Sequence, residues 1–385
     1  MNLPKSLSHL NEFAEMAQHI SGPVWGFTIP QFLDSDSMSV NPMWLKFRQH
    51  TIGSSEVALV MGLNEHGTLA QRYWEKLGYD FNNTMNEYSY WGHESEESIA
   101  KAWSYFSGEK DSYVHNRVAG KRIRQYRPTN QYLINENYPW LSASLDFIAE
   151  ANQETPFRYK EVDKAVIPFE FPIECKTISG WVANQYEAGI PIQYMCQVYQ
   201  QMLVFNCDYM EFVARKDGNS LEVLPFEISE NTKGFVDQII NSTMVWWYEV
   251  VMPAKDLMSS KIDLLKTLEP HDSLVQEVEG KIQHLEPSPD TTKAYEEFKK
   301  AQYRESYGGI RMGTDGELEV AEEYAVILKK ENDLSKRKQE LKNNILNFMG
   351  DIEVIDFGDR GKITWRREEG KRPYFGVKIK DQWQE

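Results

Sequence analysis

The stretch FPIECKTI (171–178) alternates apolar and polar side chains, which is the pattern of a half-buried β-strand. Successive side chains of a strand point to opposite faces, so Ile173 and Cys175 share one face while Glu174 and Lys176 share the other. We therefore expect a strand that packs on an apolar core with one face and presents a carboxylate beside an ammonium group on the other.

A second segment with this pattern lies upstream. In residues 141–149, every second side chain is apolar, and Asp146 falls on the polar face with two serines. Two such strands can bring Asp146, Glu174 and Lys176 to one polar spot beside the core. A Glu-x-Lys pair alone is common on half-exposed strands, so the preceding aspartate strand makes the pattern more specific.

A third carboxylate lies on a predicted helix. In residues 94–106, Glu96 shares the apolar stripe of Ile99, Ala100 and Trp103, whereas the neighbouring glutamates lie off it. A carboxylate on an apolar face is costly to bury unless a cation pairs with it, and a divalent cation shared with the two strand carboxylates would do so. The alternative is a solvated glutamate at the N-terminal end of the stripe.

The helix predicted over residues 190–206 carries amides at regular spacing. Gln193, Gln197 and Gln201 recur every four residues and form one edge, while apolar side chains on the opposite side suit a core. Amides in this arrangement can orient a water molecule or a phosphate. An ordinary amphipathic helix with a polar face is the alternative.

Six motifs follow one another between about Trp44 and Arg215. They are WLKFRQHTIGSSEVALVMG (44–62), TLAQRYWEKLG (68–78), WGHESEESIA (91–100), SASLDFI (142–148), IECK (173–176) and YMCQVYQQMLV (194–204). In type and order they resemble the YqaJ viral recombinase / lambda-exonuclease family of the PD-(D/E)XK nuclease superfamily. The resemblance implies an α/β, restriction-endonuclease-like core with a central mixed sheet flanked by helices.

The resemblance also implies a set of catalytic residues. The metal ligands would be Glu96, Asp146, Glu174 and the carbonyl of Cys175. Lys176 would position the attacking water, aided by Gln197. The implied cofactor is Mg²⁺, in two ions that stabilise the attacking and leaving oxygens, with Mn²⁺ able to substitute.

Arg48 and Ser55 match family positions that hold a terminal 5′-phosphate. A guanidinium forks onto phosphate oxygens, and a serine hydroxyl adds a donor. The implied activity is a phage-type 5′–3′ exonuclease that digests double-stranded DNA ends and exposes single strands for recombination. Leu145 departs from the family, which frequently has proline there, and Tyr199 stands where lambda-type enzymes have a second glutamine.

Composition permits this function without indicating it. The chain has 385 residues, a net charge of −16 and three cysteines, which form no disulfide framework or zinc pattern. Basic runs at 117–127 and 360–380 supply local positive charge for phosphates. We expect a soluble cytoplasmic protein of a bacterial or phage-infected cell, without a membrane partner. Homo-oligomers and a single-strand annealing protein are expected partners.

The sequence predicts three regions. They are an N-terminal lead-in (1–40), the PD-(D/E)XK exonuclease domain (41–253) and a C-terminal extension (254–385). A long helix near 232–252 is predicted to end at Pro253. The extension is predicted to contain a helical hairpin near 317–349 and a small basic β unit, with Trp365 among its cations. Such a unit suits nucleic-acid binding, or else packs Trp365 inward with its arginines solvated.

Two other functions remain open. A PD-(D/E)XK endonuclease would keep the fold and the chemistry, and Arg48 and Ser55 oppose it only through the family resemblance. A non-catalytic DNA-recombination scaffold would keep the fold alone, and the complete Glu–Asp–Glu–Lys set opposes it. Digestion of closed circular DNA distinguishes an endonuclease from an exonuclease. Release of nucleotides in Mg²⁺ distinguishes an active nuclease from a non-catalytic scaffold.

Overall fold

The structure is a computed structural model in which the described residues are 3–29, 41–64, 66–81, 87–107, 112–129, 131–150, 170–179, 190–303, 310–367 and 373–380. Contacts within the chain divide it into two compact units, Met1–Arg304 and Glu305–Glu385.

The first unit contains two five-stranded sheets. The first sheet has the order β1-β2-β5-β6-β3 and the second has the order β10-β9-β8-β7-β4. The strands are β1 (Ala17–Ser21), β2 (Val24–Phe27), β3 (Ile52–Gly53), β4 (Gln125–Pro128), β5 (Tyr132–Asn135), β6 (Leu141–Ser144), β7 (Phe147–Glu150), β8 (Glu170–Ile178), β9 (Tyr209–Lys216) and β10 (Ser220–Glu227). β3–β6 and β8–β9 are parallel and the other pairs are antiparallel, so both sheets are mixed.

Helices pack on both faces of the second sheet. Those of the first unit are a 3-10 helix (Lys5–Met16), α1 (Pro42–Arg48), α2 (Val57–Val60), α3 (Leu69–Lys76), α4 (Glu87–Trp103), α5 (Ser112–Val118), α6 (Ile192–Phe205), α7 (Lys233–Val245), α8 (Met252–Leu264), α9 (Ser273–His284) and α10 (Lys293–Gln302). Ile173 and Cys175 of β8 pack with Ile99 and Trp103 of α4, while α6 lies in the core cluster on the opposite face. The predicted mixed sheet flanked by helices is confirmed.

The strand predicted over residues 141–149 is broken. The antiparallel register of β7 and β8, with Phe147 opposite Ile173, would place Leu145 opposite Cys175. Instead, the N–H of Cys175 donates to Asp146 Oδ2 at 2.8 Å, and the carbonyl of Leu145 accepts a hydrogen bond from Thr129 Oγ1. The prediction of one continuous strand is therefore wrong, and Asp146 lies where the chain crosses from the first sheet to the second.

The helix predicted to end at Pro253 continues through that residue. α7 passes through a π-helical turn, Trp246–Val251, directly into α8, which has Pro253 in its first turn. Proline lacks an N–H and its ring clashes with the carbonyl four residues earlier, and a π-helical turn can accommodate this by widening the helix. The predicted helix end is wrong because the disturbance is absorbed locally.

The helices that follow belong to the first unit. α8, α9 and α10 share a buried cluster with α3, which contains Tyr73, Trp74, Ala254, Ile282 and Phe298. The hydroxyl of Tyr73 also donates to the carbonyl of Ile282 at 2.6 Å. The predicted boundary at 253 would cut through this core, and the structure places the division at Arg304.

The described part of the N-terminal lead-in also packs in the first unit. Leu7, Leu10 and Phe13 of the 3-10 helix are buried with Phe27 and Phe47. This segment adds β1 and β2 to the first sheet, so it is part of the same unit as the nuclease-like core.

The second unit begins with one long helix, α11 (Asp315–Met349). Thr314 and Glu317 form a reciprocal capping box at its N-terminus. The hairpin predicted near 317–349 is wrong, because this segment contains neither glycine nor proline and nothing in it breaks the helix. None of the helices in the described ranges is long and apolar enough to span a membrane.

A three-stranded antiparallel sheet follows this helix and corresponds to the predicted small β unit. Its strands are β11 (Val354–Asp356), β12 (Gly361–Arg366) and β13 (Tyr374–Ile379), in the order β11-β12-β13. Lys371 and Arg372 of the predicted basic run lie outside the described residues.

Candidate active site

Glu174 is the most enclosed group of the candidate site. Its side chain is 1% exposed and accepts hydrogen bonds from two amides of α6. Gln197 Nε2 donates to Oε1 and Gln201 Nε2 donates to Oε2, each at 2.6 Å. Lys176 Nζ forms an ion pair with Oε1 of the same carboxylate. With donors on both oxygens, the orientation of the carboxylate is fixed.

Asp146 lies beside this carboxylate at the crossing between the two sheets. Burial and the neighbouring Glu174 raise the pKa of Asp146 well above its ordinary value, while Lys176 opposes the shift. Its Oδ2 accepts the N–H of Cys175, so the aspartate is tied to the strand that carries Glu174. The structure thus brings together Asp146, Glu174 and Lys176, as the strand patterns predict.

Lys176 is held in its charged form. Burial alone would lower the pKa of Lys176, but the carboxylates of Glu174 and Asp146 outweigh burial and raise it. The thiol of Cys175 points the other way, into the core with Ile173, and burial raises its pKa well above the ordinary value. A contribution of Cys175 to ligand binding is therefore restricted to its backbone.

Glu96 lies near this group, on the predicted face of α4. Ile99, Ala100 and Trp103 of that face are buried, and Glu96 accepts a hydrogen bond from His93 Nδ1 at 3.0 Å. Glu97 points elsewhere and accepts the hydroxyl of Tyr126 at 2.7 Å. Hydrogen bonding to Glu96 raises the pKa of His93, although burial opposes the shift.

A buried polar network fixes α4 on the second sheet. Glu211 of β9, fully buried, accepts Trp103 Nε1 at 2.5 Å, Tyr209 Oη at 2.8 Å and Arg124 Nη1 at 3.1 Å. Arg124 also lies over the Trp103 ring, 4.6 Å from its centre. Every oxygen of Glu211 has a donor, so the network can be buried at little cost and holds the helix that carries Glu96.

An open cleft of about 870 Å³ borders the candidate site at Glu96 and Lys176. Besides Glu96 and Lys176 it is lined by Trp91, Tyr194 and Arg215, which the sequence analysis did not select. Arg215 Nη1 and Nη2 have no carboxylate partner within the described ranges and instead donate to Ser98 Oγ at 3.1 Å and Ser95 Oγ at 2.9 Å, respectively. The parallel register of β8 and β9 sets Arg215 beside Thr177, and the sequence pattern contains no signal for this pairing.

Arg48 lies in a buried ion cluster. Its Nη2 is 2.9 Å from Glu56 Oε1, and Lys76 Nζ donates to Glu56 Oε2 at 2.8 Å. Burial raises the pKa of Glu56, but the charges of Arg48 and Lys76 outweigh it and lower the pKa to about 2. The guanidinium also lies over the Trp44 ring, 4.6 Å from its centre.

The two residues predicted to bind a 5′-phosphate therefore differ in their surroundings. Ser55 is exposed, whereas the side chain of Arg48 is 19% exposed and paired with Glu56. Arg48 lines a small cleft with Arg72 and Tyr79, and this cleft shares no residue with the one that holds Lys176.

The donors at the site suit a magnesium ion with few protein ligands. Mg²⁺ is typically bound by one or two carboxylates and keeps several waters, and Asp146 and Glu174 provide two adjacent carboxylates. Among the described residues, no group of three or more His, Cys, Asp or Glu side chains is arranged to hold a metal ion. The structure thus does not assemble Glu96 with Asp146 and Glu174 as one three-carboxylate set.

Comparison with known proteins agrees with the resemblance seen in the motifs. Residues 43–208 match the family described as the YqaJ-like viral recombinase domain. The Bacillus subtilis (strain 168) protein YqaJ, described as uncharacterized, is 22% identical over 345 residues, which cover 88% of this chain and 87% of that protein.

Solved structures similar to this chain include an alkaline exonuclease, LHK-Exo, from Laribacter hongkongensis. It is 15% identical with a TM-score of 0.36, and the match covers 59% of this chain and 96% of that chain. A phage related exonuclease from Haemophilus somnus 129PT is 9% identical with a TM-score of 0.28, covering 55% and 99% of the respective chains.

The segment that matches this family contains most of the candidate site. Glu96, Asp146, Glu174, Lys176 and both amides that hold Glu174 lie within residues 43–208. Tyr199, at the position of the family's second glutamine, is buried against Phe226 and Phe235.

Proposed function

We propose that this protein is a Mg²⁺-dependent nuclease, specifically a 5′–3′ exonuclease that digests double-stranded DNA from its ends. The observation that carries the proposal is the convergence of Asp146, Glu174 and Lys176, of which Lys176 lines an open cleft together with Glu96. The match of residues 43–208 to a viral recombinase family supports it, because recombination needs exposed single strands. A single-strand annealing protein is the partner that would receive them.

Each residue of the site has a proposed role in hydrolysis. Asp146 and Glu174 would hold Mg²⁺, and Gln197 and Gln201 fix the Glu174 carboxylate for that purpose. When bound, two Mg²⁺ ions would stabilise the charge on the attacking and leaving oxygens. Lys176, kept protonated by its carboxylate neighbours, would orient the attacking water by donating a hydrogen bond to it.

The lining of the cleft suits a DNA strand. Arg215 presents a guanidinium without a carboxylate partner among the described residues, and guanidinium groups recognise phosphate oxygens through paired donors. Trp91, 60% exposed, offers a ring on which a base can stack. A negatively charged backbone can thus approach the acidic site through Arg215 and Lys176, which makes a net charge of −16 compatible with DNA binding.

For the 5′–3′ direction, we propose that Arg48 and Ser55 bind the terminal 5′-phosphate, which selects the end from which digestion starts. Arg48→Ala is expected to weaken the preference for 5′-phosphorylated ends more than it slows cutting of phosphate-free ends. A lost hydrogen bond between charged groups costs about 2 kcal/mol, which is roughly a factor of ten or more. Equal slowing on both substrates would make Arg48 a structural partner of Glu56 alone.

Digestion of end-labelled linear duplex tests the function. The substrate is supplied with and without a 5′-phosphate, in Mg²⁺ and in EDTA, with Lys176→Ala as the inactive control. Progressive release of nucleotides from the 5′ end in Mg²⁺ only is the expected result. Release from the 3′ end, or equal release in EDTA, would contradict the proposal.

An endonuclease is the second candidate. The engagement of Arg48 by Glu56, away from the cleft of Lys176, favours a nuclease that does not read a terminal phosphate. Closed circular duplex separates the two candidates, because only an endonuclease cuts a substrate that has no ends.

A further inference from the structure

One face of the C-terminal sheet concentrates positive charge. In the register of β12 and β13, Lys362 lies opposite Lys378 and Arg366 lies opposite Tyr374, so all four side chains share one face. All four are exposed. At the end of this ladder, the N–H of Lys380 donates to the carbonyl of Arg360 at 3.0 Å, and both of these cations are also exposed. We call this surface the basic face.

Two acidic groups border the basic face and offset part of its charge: Asp356 lies directly opposite Lys362 in the register of β11 and β12, and Glu353 lies beside Arg366. Glu353 forms an ion pair with Arg366 at 2.8 Å, and Asp356 accepts the N–H of Gly358 at 2.8 Å. No salt bridge in the described residues involves Lys362 or Lys378. Like charges directly opposite each other destabilise a sheet, and Asp356 borders this pair only on the Lys362 side, so a polyanion bound across Lys362 and Lys378 would relieve their repulsion.

An aromatic ring lies among these cations. Tyr374 is 55% exposed, and its ring crosses the adjacent Gly376, where an added Cβ would be 2.6 Å from the hydroxyl and 3.0 Å from Cζ. Only a glycine leaves room for the ring in this position. The ring is thus held against the sheet with its other side open, which is how aromatic platforms present themselves to unpaired bases.

The opposite face of the sheet is used differently. Trp365 lies across from Phe375 on that face, and Arg367 covers the tryptophan ring at 4.0 Å from its centre. Lys342 of α11 lies 5.3 Å from the centre of the Phe375 ring, so the helix contacts this side. In this unit the exposed ring that can stack on a base is therefore that of Tyr374, because Arg367 covers the ring of Trp365.

We infer that the basic face binds single-stranded DNA, with Tyr374 stacking on a base and Lys362 and Lys378 contacting the flanking phosphates. A stacking platform bordered by cations recognises unpaired bases, whereas a duplex keeps its bases stacked and offers no open base surface to the ring. The inference rests on the proposed function for the source of the strand, which is the one left by digestion of its complement.

Binding is measured on the full chain with Lys176→Ala as background and EDTA present, so that no cleavage occurs. The probe is a fluorescent single-stranded oligonucleotide of mixed sequence, and its anisotropy is followed over a range of salt concentrations. Lys362→Gln with Lys378→Gln is expected to flatten the slope of log affinity against log salt by about 1.4, from about 0.7 per phosphate contact on single strands.

The matched control is Lys329→Gln with Lys330→Gln, which removes the same charge from exposed positions of α11 in the same unit. This control is expected to leave the slope unchanged. Lys362→Gln with Lys378→Gln removes the repulsion between the two lysines and the attraction of Lys362 to the opposite Asp356, so thermal unfolding should occur close to that of the background protein.

Stacking is tested by Tyr374→Ala against Tyr324→Ala, since Tyr324 is 63% exposed on α11. Tyr374→Ala is expected to weaken single-strand binding about fivefold or more, and Tyr324→Ala to leave it within about twofold, because a stacked base contributes a factor of this size. Gly376→Ala should weaken binding as Tyr374→Ala does, because the methyl group displaces the ring.

The inference is overturned if the control pairs change binding as much as the sheet variants, or if the background protein prefers duplex over single strand through the same residues. Cleavage of a short duplex by the same sheet variants with Lys176 intact keeps the two proposals distinct. Normal cleavage by sheet variants that have lost single-strand binding supports the inference. If the protein with Lys176 intact binds single strands but never cleaves, only the proposed nuclease function is contradicted.

Discussion

Replacing Gln201 by leucine is expected to weaken magnesium binding without unfolding the protein. Gln201 is fully buried, and its amide donates to Glu174 Oε2 at 2.6 Å. Leucine has a similar size but no donor, so one oxygen of a buried carboxylate loses its hydrogen bond. Gln197 and Lys176 still contact the other oxygen, Oε1.

The expected change in Mg²⁺ affinity follows from the charge of the carboxylate that accepts this hydrogen bond. A hydrogen bond to a charged group contributes about 1.5–3 kcal/mol, and a factor of ten in binding corresponds to about 1.4 kcal/mol. The dissociation constant of Mg²⁺ should therefore rise about 10- to 100-fold, which is the range typical of residues that orient a metal ligand.

The adjacent Gln200 provides the control. It is equally buried, but its amide donates to the carbonyls of Ile52 at 2.8 Å and Ser142 at 3.0 Å, which belong to the paired strands β3 and β6. Gln200→Leu leaves these carbonyls without this donor and should lower the free energy of unfolding by about 1–3 kcal/mol. Its Mg²⁺ dissociation constant should stay close to that of the unmodified protein.

Isothermal titration calorimetry of Mg²⁺ binding and thermal unfolding are measured on both variants, beside the rate of duplex digestion at rising Mg²⁺. Gln201→Leu should regain much of its rate at high Mg²⁺. If both variants lost affinity for Mg²⁺ equally, or if Gln201→Leu lost only stability, the amide would be a structural residue and the reasoning would be refuted.

Three further predictions follow from the same geometry. Lys176→Ala and Asp146→Ala should each abolish cleavage while circular dichroism shows a folded protein, and near-normal Mg²⁺-dependent activity of either would disprove the site. Glu96→Gln should slow digestion more than Glu97→Gln, and the reverse order would show that the wrong face of α4 was chosen. Glu56→Gln should lower the free energy of unfolding at pH 7 by about 3 kcal/mol, because the Glu56 pKa is lowered from 4.5 to about 2. That difference should be present above pH 4.5 and shrink as the pH falls toward 2, and a constant difference in denaturant titrations would contradict it.

The sequence by itself determined which side chains of the candidate site share a face of their strand or helix. Alternation along residues 171–178 separated Glu174 and Lys176 from the apolar face, because the side-chain period of a strand is fixed by its backbone. The helical period likewise selected Glu96 over Glu97, and the structure places those two side chains as that period requires. These are local properties, and local geometry is what a sequence pattern encodes.

Only the tertiary structure decided what depends on contacts between distant segments. Gln201 and Arg215 acquire their surroundings from β8 and α4, which are far from them in the chain. The break at Asp146 arises because its carboxylate takes the N–H of Cys175, and no period within residues 141–149 records that competition.

The same holds for the limits of the units. Pro253 predicts the end of a helix from its own chemistry, but the helix continues and α8 then packs on α3. In the C-terminal sheet the sequence indicated cations and aromatics together, whereas the strand register assigned Tyr374 to the basic face and Trp365 to the other. Pairing register is a relation between strands, so composition cannot supply it.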